Sequence, residues 1–336
     1  MTIKIAAFSH RGVVLAQKLK KELGLDDSDL SFFNKEDNSG NELHTWVREN
    51  FQIADRLVFI GALQIAVRLI SKEIKSKLTD PAVVSIDDNG KFCIPVLSGH
   101  IGSANEFAVQ LADIMGAQPV ITTSTDINHK FAVDVFARKN NLIIKNPGKI
   151  KEVSSKLLGN ESIEIYSFLP VAGRLPDGVI LKENQDADVV ISPFKLGNSN
   201  ALVLIPKVLS LGAGCKRGTD EGFILKCYDD FLENQKIYKE AVRNLATIDL
   251  KREEAAILAL MDKEKLPAHF YSAKELEEAD GNFTSSQFVK SVTGTDNVCE
   301  RSAKLLSQGK ILIRKTVYQG ITFAVGIDET PLNIGE

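Results

Sequence analysis

The residues best suited to chemistry lie in one short segment, LSGHIGSANEFA, at 97–108. An apolar run at 91–97 stops at Ser98, Gly99 and His100. Gly99 and Gly102 leave the backbone free to take positive φ and to approach a ligand closely. Ser103 stands where it can cap a helix beginning near Ala104, with Glu106 as its capping-box partner. Such a helix would direct the N–H groups of residues 102–105 at a carboxylate or an oxyanion. His100 is the one group of the loop that titrates near neutral pH. It can serve as a base for water, as a proton donor, or as a structural imidazole bonded to a backbone carbonyl. Asn105 either donates to a substrate carboxylate or closes the turn, and Glu106 reads as a cap rather than a catalyst. Ser98 is a candidate catalytic hydroxyl, although no G-x-S-x-G elbow frames it.

The surrounding pattern sets where this loop sits. Apolar runs at 3–8 and 55–60 each lead through a glycine into a helical pattern. The run AVVSI at 82–86, the turn Asp88, Asn89, Gly90 and the run at 91–97 predict a hairpin. A helix over 103–115 and a strand over 119–123 follow. Strand, glycine turn, helix, strand is the grammar of a parallel sheet with crossover helices, where ligands collect at the carboxyl ends of strands.

Beyond 128 the spacing changes. A smaller α+β middle module is expected over 129–206, with strands at 142–145, 163–168, 188–192 and 201–206. A third unit is expected over 207–328. Its strands lie at 208–214, 245–249 and 268–272, and an antiparallel pair at 310–318 and 321–327 closes it. The fold class is therefore α/β and multi-domain. Largely parallel sheets are expected in the N-terminal (1–128) and C-terminal domains, and a frayed tail over 328–336.

Bulk properties narrow the function classes. The chain has 336 residues, 44% hydrophobic and 25% charged, and a formal net charge of −3. That balance gives no electrostatic argument for a nucleic-acid partner. No apolar run reaches the roughly 18–20 residues needed to span a bilayer, so no membrane role is expected. Cys93, Cys215, Cys227 and Cys299 form no C-x-x-C pair, and the first residues read directly as a strand. Free thiols in a cytoplasmic location are expected.

One resemblance adds to this reading. Residues 97–126, LSGHIGSANEFAVQLADIMGAQPVITTSTD, resemble the signature region of the cobalt-precorrin-5A hydrolases of cobalamin biosynthesis. Ser98, Gly99, His100, Gly102, Ala104, Asn105, Thr122, Thr123, Thr125 and Asp126 fit the family pattern. Ser103 and Ser124 depart from it, where glycine and alanine are usual. GALQIAVRLI at 61–70 is also similar, with Gln64 in place of an expected glycine. LGAGCKRGTD at 211–220 resembles the start of the family's C-terminal domain.

The resemblance implies a cobalt-corrinoid substrate carrying a δ-lactone. Water opens the lactone, and acetaldehyde then leaves. The cobalt travels with the substrate, so no cofactor or protein-bound metal is expected. His100 is the implied base, with Asp126 and Ser98 as catalytic companions and Gly99, Gly102, Ser103, Asn105, Thr123 and Thr125 around the substrate. Asp126 reads equally as a helix N-cap. Arg68, Lys216 and Arg217, with Gly212 and Gly214 beside them, would meet the substrate's carboxylates. The bland alternative for Arg68 is a surface ion pair. Association with other cobalamin-pathway enzymes and a homodimer are compatible with this reading.

Two rivals stand beside it. Residues 212–218 spell G-x-G-x-x-x-G, one residue longer than the dinucleotide fingerprint, which would suit an NAD(P) or S-adenosylmethionine enzyme. A non-catalytic corrinoid-binding protein would use the same basic loops without His100.

Overall fold

The computed structural model describes residues 1–33, 40–76, 79–195, 197 and 200–335. They divide into two compact units, Met1–Val135 and Phe136–Glu336. Among them no helix is long and apolar enough to cross a membrane.

The first unit holds β1 (Ile3–Ala7), α1 (His10–Leu23), β2 (Leu30–Phe32), α2 (Gly40–Ile53), β3 (Arg56–Ile60), α3 (Leu63–Ile70), β4 (Ala82–Ile86), β5 (Phe92–Leu97), α4 (Ala104–Met115), β6 (Gln118–Pro119) and α5 (Ser124–Ile127). Its sheet has the order β2-β1-β3-β4-β5-β6. β2 and α2 were not anticipated above. Every residue of β4 is buried, as expected for a strand covered on both faces. α4 turns Ala104, Phe107, Ala108, Leu111 and Ala112 into the core, the spacing of one helical face. Burying Phe107 and Leu111 contributes about 2 kcal/mol each and fixes the start of α4.

The hairpin decides the position of the loop at 98–103. β1, β3 and β4 run parallel, but β5 runs antiparallel to β4, pairing Leu97 with Val83. The carboxyl end of β5 therefore lies where the parallel strands begin. β6 runs parallel to β5 and ends at the same edge. The expectation of a site at the carboxyl ends of the parallel strands is thus corrected, because the Asp88 to Gly90 turn reverses the chain. The strand expected over 119–123 is only two residues long, Gln118–Pro119, although the Val120 N–H still donates to the Cys93 carbonyl of β5.

In the second unit, α6 (Val133–Lys139), which starts before the unit boundary, leads to β7 (Leu142–Ile144), α7 (Ile150–Leu158), β8 (Ile163–Ser167), β9 (Val171–Ala172), β10 (Val179–Lys182), β11 (Val189–Ile191) and β12 (Leu202–Pro206). These form a sheet of order β10-β8-β11-β12-β7, in which only β7 is antiparallel. Then follow β13 (Leu209–Cys215), α8 (Glu221–Asn234), β14 (Val242–Ile248), α9 (Ala255–Glu264), β15 (Ala268–Tyr271), α10 (Ala273–Glu277), α11 (Gln287–Thr293), α12 (Cys299–Ser307), β16 (Lys310–Tyr318) and β17 (Ile321–Ile327). The order of this sheet is β15-β14-β13-β17-β16, with the antiparallel pair at its edge. Over residues 328–335 the tail is not frayed. β18 (Leu332–Asn333) pairs with β9, and Leu332 and Ile334 are buried there.

Candidate active site

The loop after β5 is closed on itself. The Ser103 N–H donates to the His100 carbonyl, that of Ala104 to Ser98, and that of Asn105 to Gly99. Three of the four expected oxyanion donors are therefore already occupied. The capping box does not form either. Ser103 takes φ 67° and its side chain makes no cap hydrogen bond. The left-handed residues are Ser98 (φ 57°) and Ser103, not the glycines.

Gly99 and Gly102 serve contact instead of conformation. A Cβ on Gly102 would lie 2.5 Å from that of Ser98, and one on Gly99 would lie 2.8 Å from Asn105 Oδ1. Ser98 itself donates from Oγ to the Asp80 carbonyl at 3.0 Å, which ties the loop to the residues before β4.

This closed loop presents His100 to two carboxylates. Its Nε2 lies 2.9 Å from Asp126 Oδ2 and 3.1 Å from Thr125 Oγ1. Its Nδ1 lies 3.3 Å from Asp134 Oδ2. Asn105, buried on the first turn of α4, donates from Nδ2 to Asp126 Oδ2 at 2.7 Å and to Thr123 Oγ1 at 2.8 Å. So His100, Asp126, Asn105, Thr123 and Thr125 come together as the sequence suggested, while Ser98 is directed elsewhere. Asp134 was not foreseen. An aspartate in the first turn of a helix is an ordinary sight, and nothing in its spacing tied it to His100.

The array has a direction. Side-chain exposure rises from 10% at Asp134 through 15% at His100 to 36% at Asp126. Only Asp126 reaches outward. The Asp134 hydrogen bond, opposed by burial and supported by the charges of both carboxylates, pushes the His100 pKa up to about 8. Burial favours a neutral Asp134, yet the bond and charge of His100 and the Val135 N–H outweigh it and hold Asp134 below the usual carboxylate range. At pH 7 His100 is an imidazolium with both nitrogens engaged. It is not the free base expected from the sequence. Asp126 Oδ2 takes two donors, and its Oδ1 has no partner among the described residues.

The other predicted residues belong to other elements. Arg68 is exposed in the last turn of α3. That helix runs back along the sheet, so Arg68 lies toward the edge where β4 begins. In the second unit, Lys216 and Arg217 are exposed after β13. The N–H groups of Gly218 and Thr219 donate to Glu254 Oε1 at 2.8 and 3.2 Å, so these two donors are already engaged beside the cationic side chains.

Gly212 and Gly214 are corrected outright. Both lie within β13, where a Cβ on Gly212 would overlap the Cys299 carbonyl of α12 and one on Gly214 would crowd Thr322. They allow helix and strand to pack closely, a role that accounts for both glycines without a ligand. The dinucleotide reading of 212–218 loses its physical basis. Among the described residues no group of His, Cys, Asp and Glu is placed to hold a metal ion.

Three family models match the chain between residues 45 and 326. The family described as "Cobalamin synthesis G N-terminal" matches 45–126, "Cobalamin biosynthesis central region" matches 131–206, and "Cobalamin synthesis G C-terminus" matches 209–326. The cobalt-precorrin-5A hydrolase of Salmonella typhimurium is 32% identical over 302 residues, 83% of this chain and 84% of the relative. That of Priestia megaterium is 29% identical over 331 residues, 90% of this chain and 88% of the relative. A shorter relative, Protein CobE of a Sinorhizobium species, is 32% identical over 121 residues, 35% of this chain and 78% of its own length. With that identity sustained along most of both chains, the protein belongs to the cobalt-precorrin-5A hydrolase family of cobalamin synthesis.

Proposed function

We infer that this chain is a cobalt-precorrin-5A hydrolase. It opens the δ-lactone of a cobalt-corrinoid with water and releases acetaldehyde. The observation that carries this reading is the 32% identity across 302 residues with a relative of that name. The carboxylate–imidazole–carboxylate array supplies chemistry that fits it.

In this reading Asp126 is the group that meets the substrate. Oδ1 takes a proton from water as the water oxygen bonds to the lactone carbonyl carbon. The ring C–O bond breaks, and the proton passes from Asp126 to the alkoxide that leaves. The freed hydroxyl then gives up its proton to the same carboxylate. The adjoining carbon–carbon bond breaks, acetaldehyde departs and the electron pair stays with the macrocycle. That proton is available to quench the carbanion. Asn105 and His100 keep Oδ2 occupied, so exchange is confined to Oδ1.

Arg68, Lys216 and Arg217 are the cations we assign to the substrate's peripheral carboxylates. The cobalt enters with the substrate, and we propose no cofactor of the protein's own. A cytoplasmic location suits four cysteines that are all free. The test is to supply the cobalt-bound lactone and measure acetaldehyde. Release by the wild type and its loss in Asp126→Asn is expected. Tight corrinoid binding with no acetaldehyde would turn the protein into a carrier.

A further inference from the structure

We propose that Asp134 is a positioning residue of this site, one that fixes the orientation and charge of His100 and, through it, the proton exchange at Asp126. Asp134 is itself held in place by its own helix. It stands in the first turn of α6 and accepts the Val135 N–H on Oδ1 at 3.1 Å. That bond leaves Oδ2 for His100 Nδ1. The carboxylate is buried, so its direction is set by the helix and not by solvent.

The imidazole has no other anchor on that side. Its contacts among the described residues are Asp134 from α6, Asp126 and Thr125 from α5, and no further charged group. Without Asp134, an imidazolium facing Asp126 would lose its main source of stabilisation. A neutral ring could then swap tautomers or turn toward Thr125. Asp126 would face a changing partner in place of a fixed cation.

The arrangement also has consistent charge. Asp134, His100 and Asp126 together carry −1 when the ring is protonated. The cluster accepts one proton from outside, and the exposed end at Asp126 is where it enters. A buried carboxylate behind an imidazole fixes tautomer and orientation by well-known physics. Here the third group is a second carboxylate rather than a hydroxyl.

Asp134 also lies beyond residues 45–126, within the stretch matched by the central-region family at 131–206. The site therefore draws one member from sequence outside the segment that holds His100 and Asp126.

The inference rests on the lactone-opening reading only in its kinetic arm. In the first arm, imidazole titration of the full chain is followed by NMR, with His100 assigned by its absence in His100→Gln. The wild-type ring is expected to titrate near 8. In Asp134→Asn its pKa should fall by about one unit or more, and in Asp134→Glu it should remain raised. In the second arm, kcat/KM for acetaldehyde release is measured against pH. Asp134→Asn should lower kcat and move the pH profile with the His100 titration, leaving KM within about threefold. Asp134→Glu should recover part of kcat.

An unchanged His100 titration in Asp134→Asn overturns the proposal. So does a shifted titration with an unshifted rate profile. If the Asn variant does not fold, the Glu variant decides, since a His100 titration returned to the ordinary value would also overturn it. If the wild type releases no acetaldehyde, the functional reading fails, and the NMR arm still determines whether Asp134 controls His100.

Discussion

The loop at 98–103 and the loop at 215–219 share a grammar of strand end, glycine and helix start, yet their backbone N–H groups find different partners. In the first, they bond to carbonyls of the loop itself. In the second, they bond to the Glu254 carboxylate, held by Lys251 at 2.9 Å. In each loop the N–H groups next to the helix start are already engaged. What each offers is decided by side chains: a graded acid–base array in the first, two exposed cations in the second. A glycine at a strand–helix junction is therefore as much a sign of a loop packing on itself as of a ligand nearby.

The sharpest way to break this contrast is Asp126→Asn. If the first loop performs chemistry, kcat for acetaldehyde release should fall by roughly 10²–10⁴-fold with little change in KM. A loss confined to KM would make the two loops alike.

Next in size is a stability effect carried by His100 of the first loop. The folded pKa of His100 is raised from 6.5 to about 8. The group therefore stabilises the fold fully below the unfolded pKa, and that stabilisation is lost as pH rises through about 8. The difference corresponds to about 2 kcal/mol. Urea unfolding at pH 6 and pH 9 should reveal it in the wild type and not in His100→Gln.

For the second loop, Lys216→Ala with Arg217→Ala should raise KM by about tenfold, with kcat within about threefold. A large fall in kcat would place this loop in the chemistry after all. The smallest effect concerns the fit of the first loop. Ser103 occupies a left-handed conformation that suits glycine. Ser103→Gly should stabilise the protein by about 0.5 kcal/mol, relief of strain set against glycine's chain entropy, with unchanged kcat. Thermal unfolding measures it.

Much of this was legible because apolar periodicity and turn residues speak locally. AVVSI at 82–86 coincides with β4, and the closing pair at 310–318 and 321–327 with β16 and β17. The cluster of His100, Asn105, Thr123, Thr125 and Asp126 came from motif resemblance and survives in the geometry.

What failed did so through tertiary contact. The Asp88 to Gly90 turn was read correctly, but its consequence for the direction of β5 is a property of the sheet. Gly212 looked like part of a ligand loop because the approach of α12 has no local signature. Asp134 was missed because the chain between α5 and α6 folds back onto His100, and a boundary drawn at 128 assigns it to another module.

The pairing of β18 with β9 bears on the order in which the protein is made. Residues 171–172 emerge from the ribosome long before residues 332–333, which complete their two-stranded sheet. Asn140, seated just before β7, likewise awaits Asn333, with which it exchanges hydrogen bonds of 2.8 and 2.9 Å. Translation at about 5–20 residues per second makes that wait on the order of ten seconds. The middle module thus spends the synthesis of β13 to β17 with an open edge. Its final closure reports that the whole C-terminal sheet has been delivered.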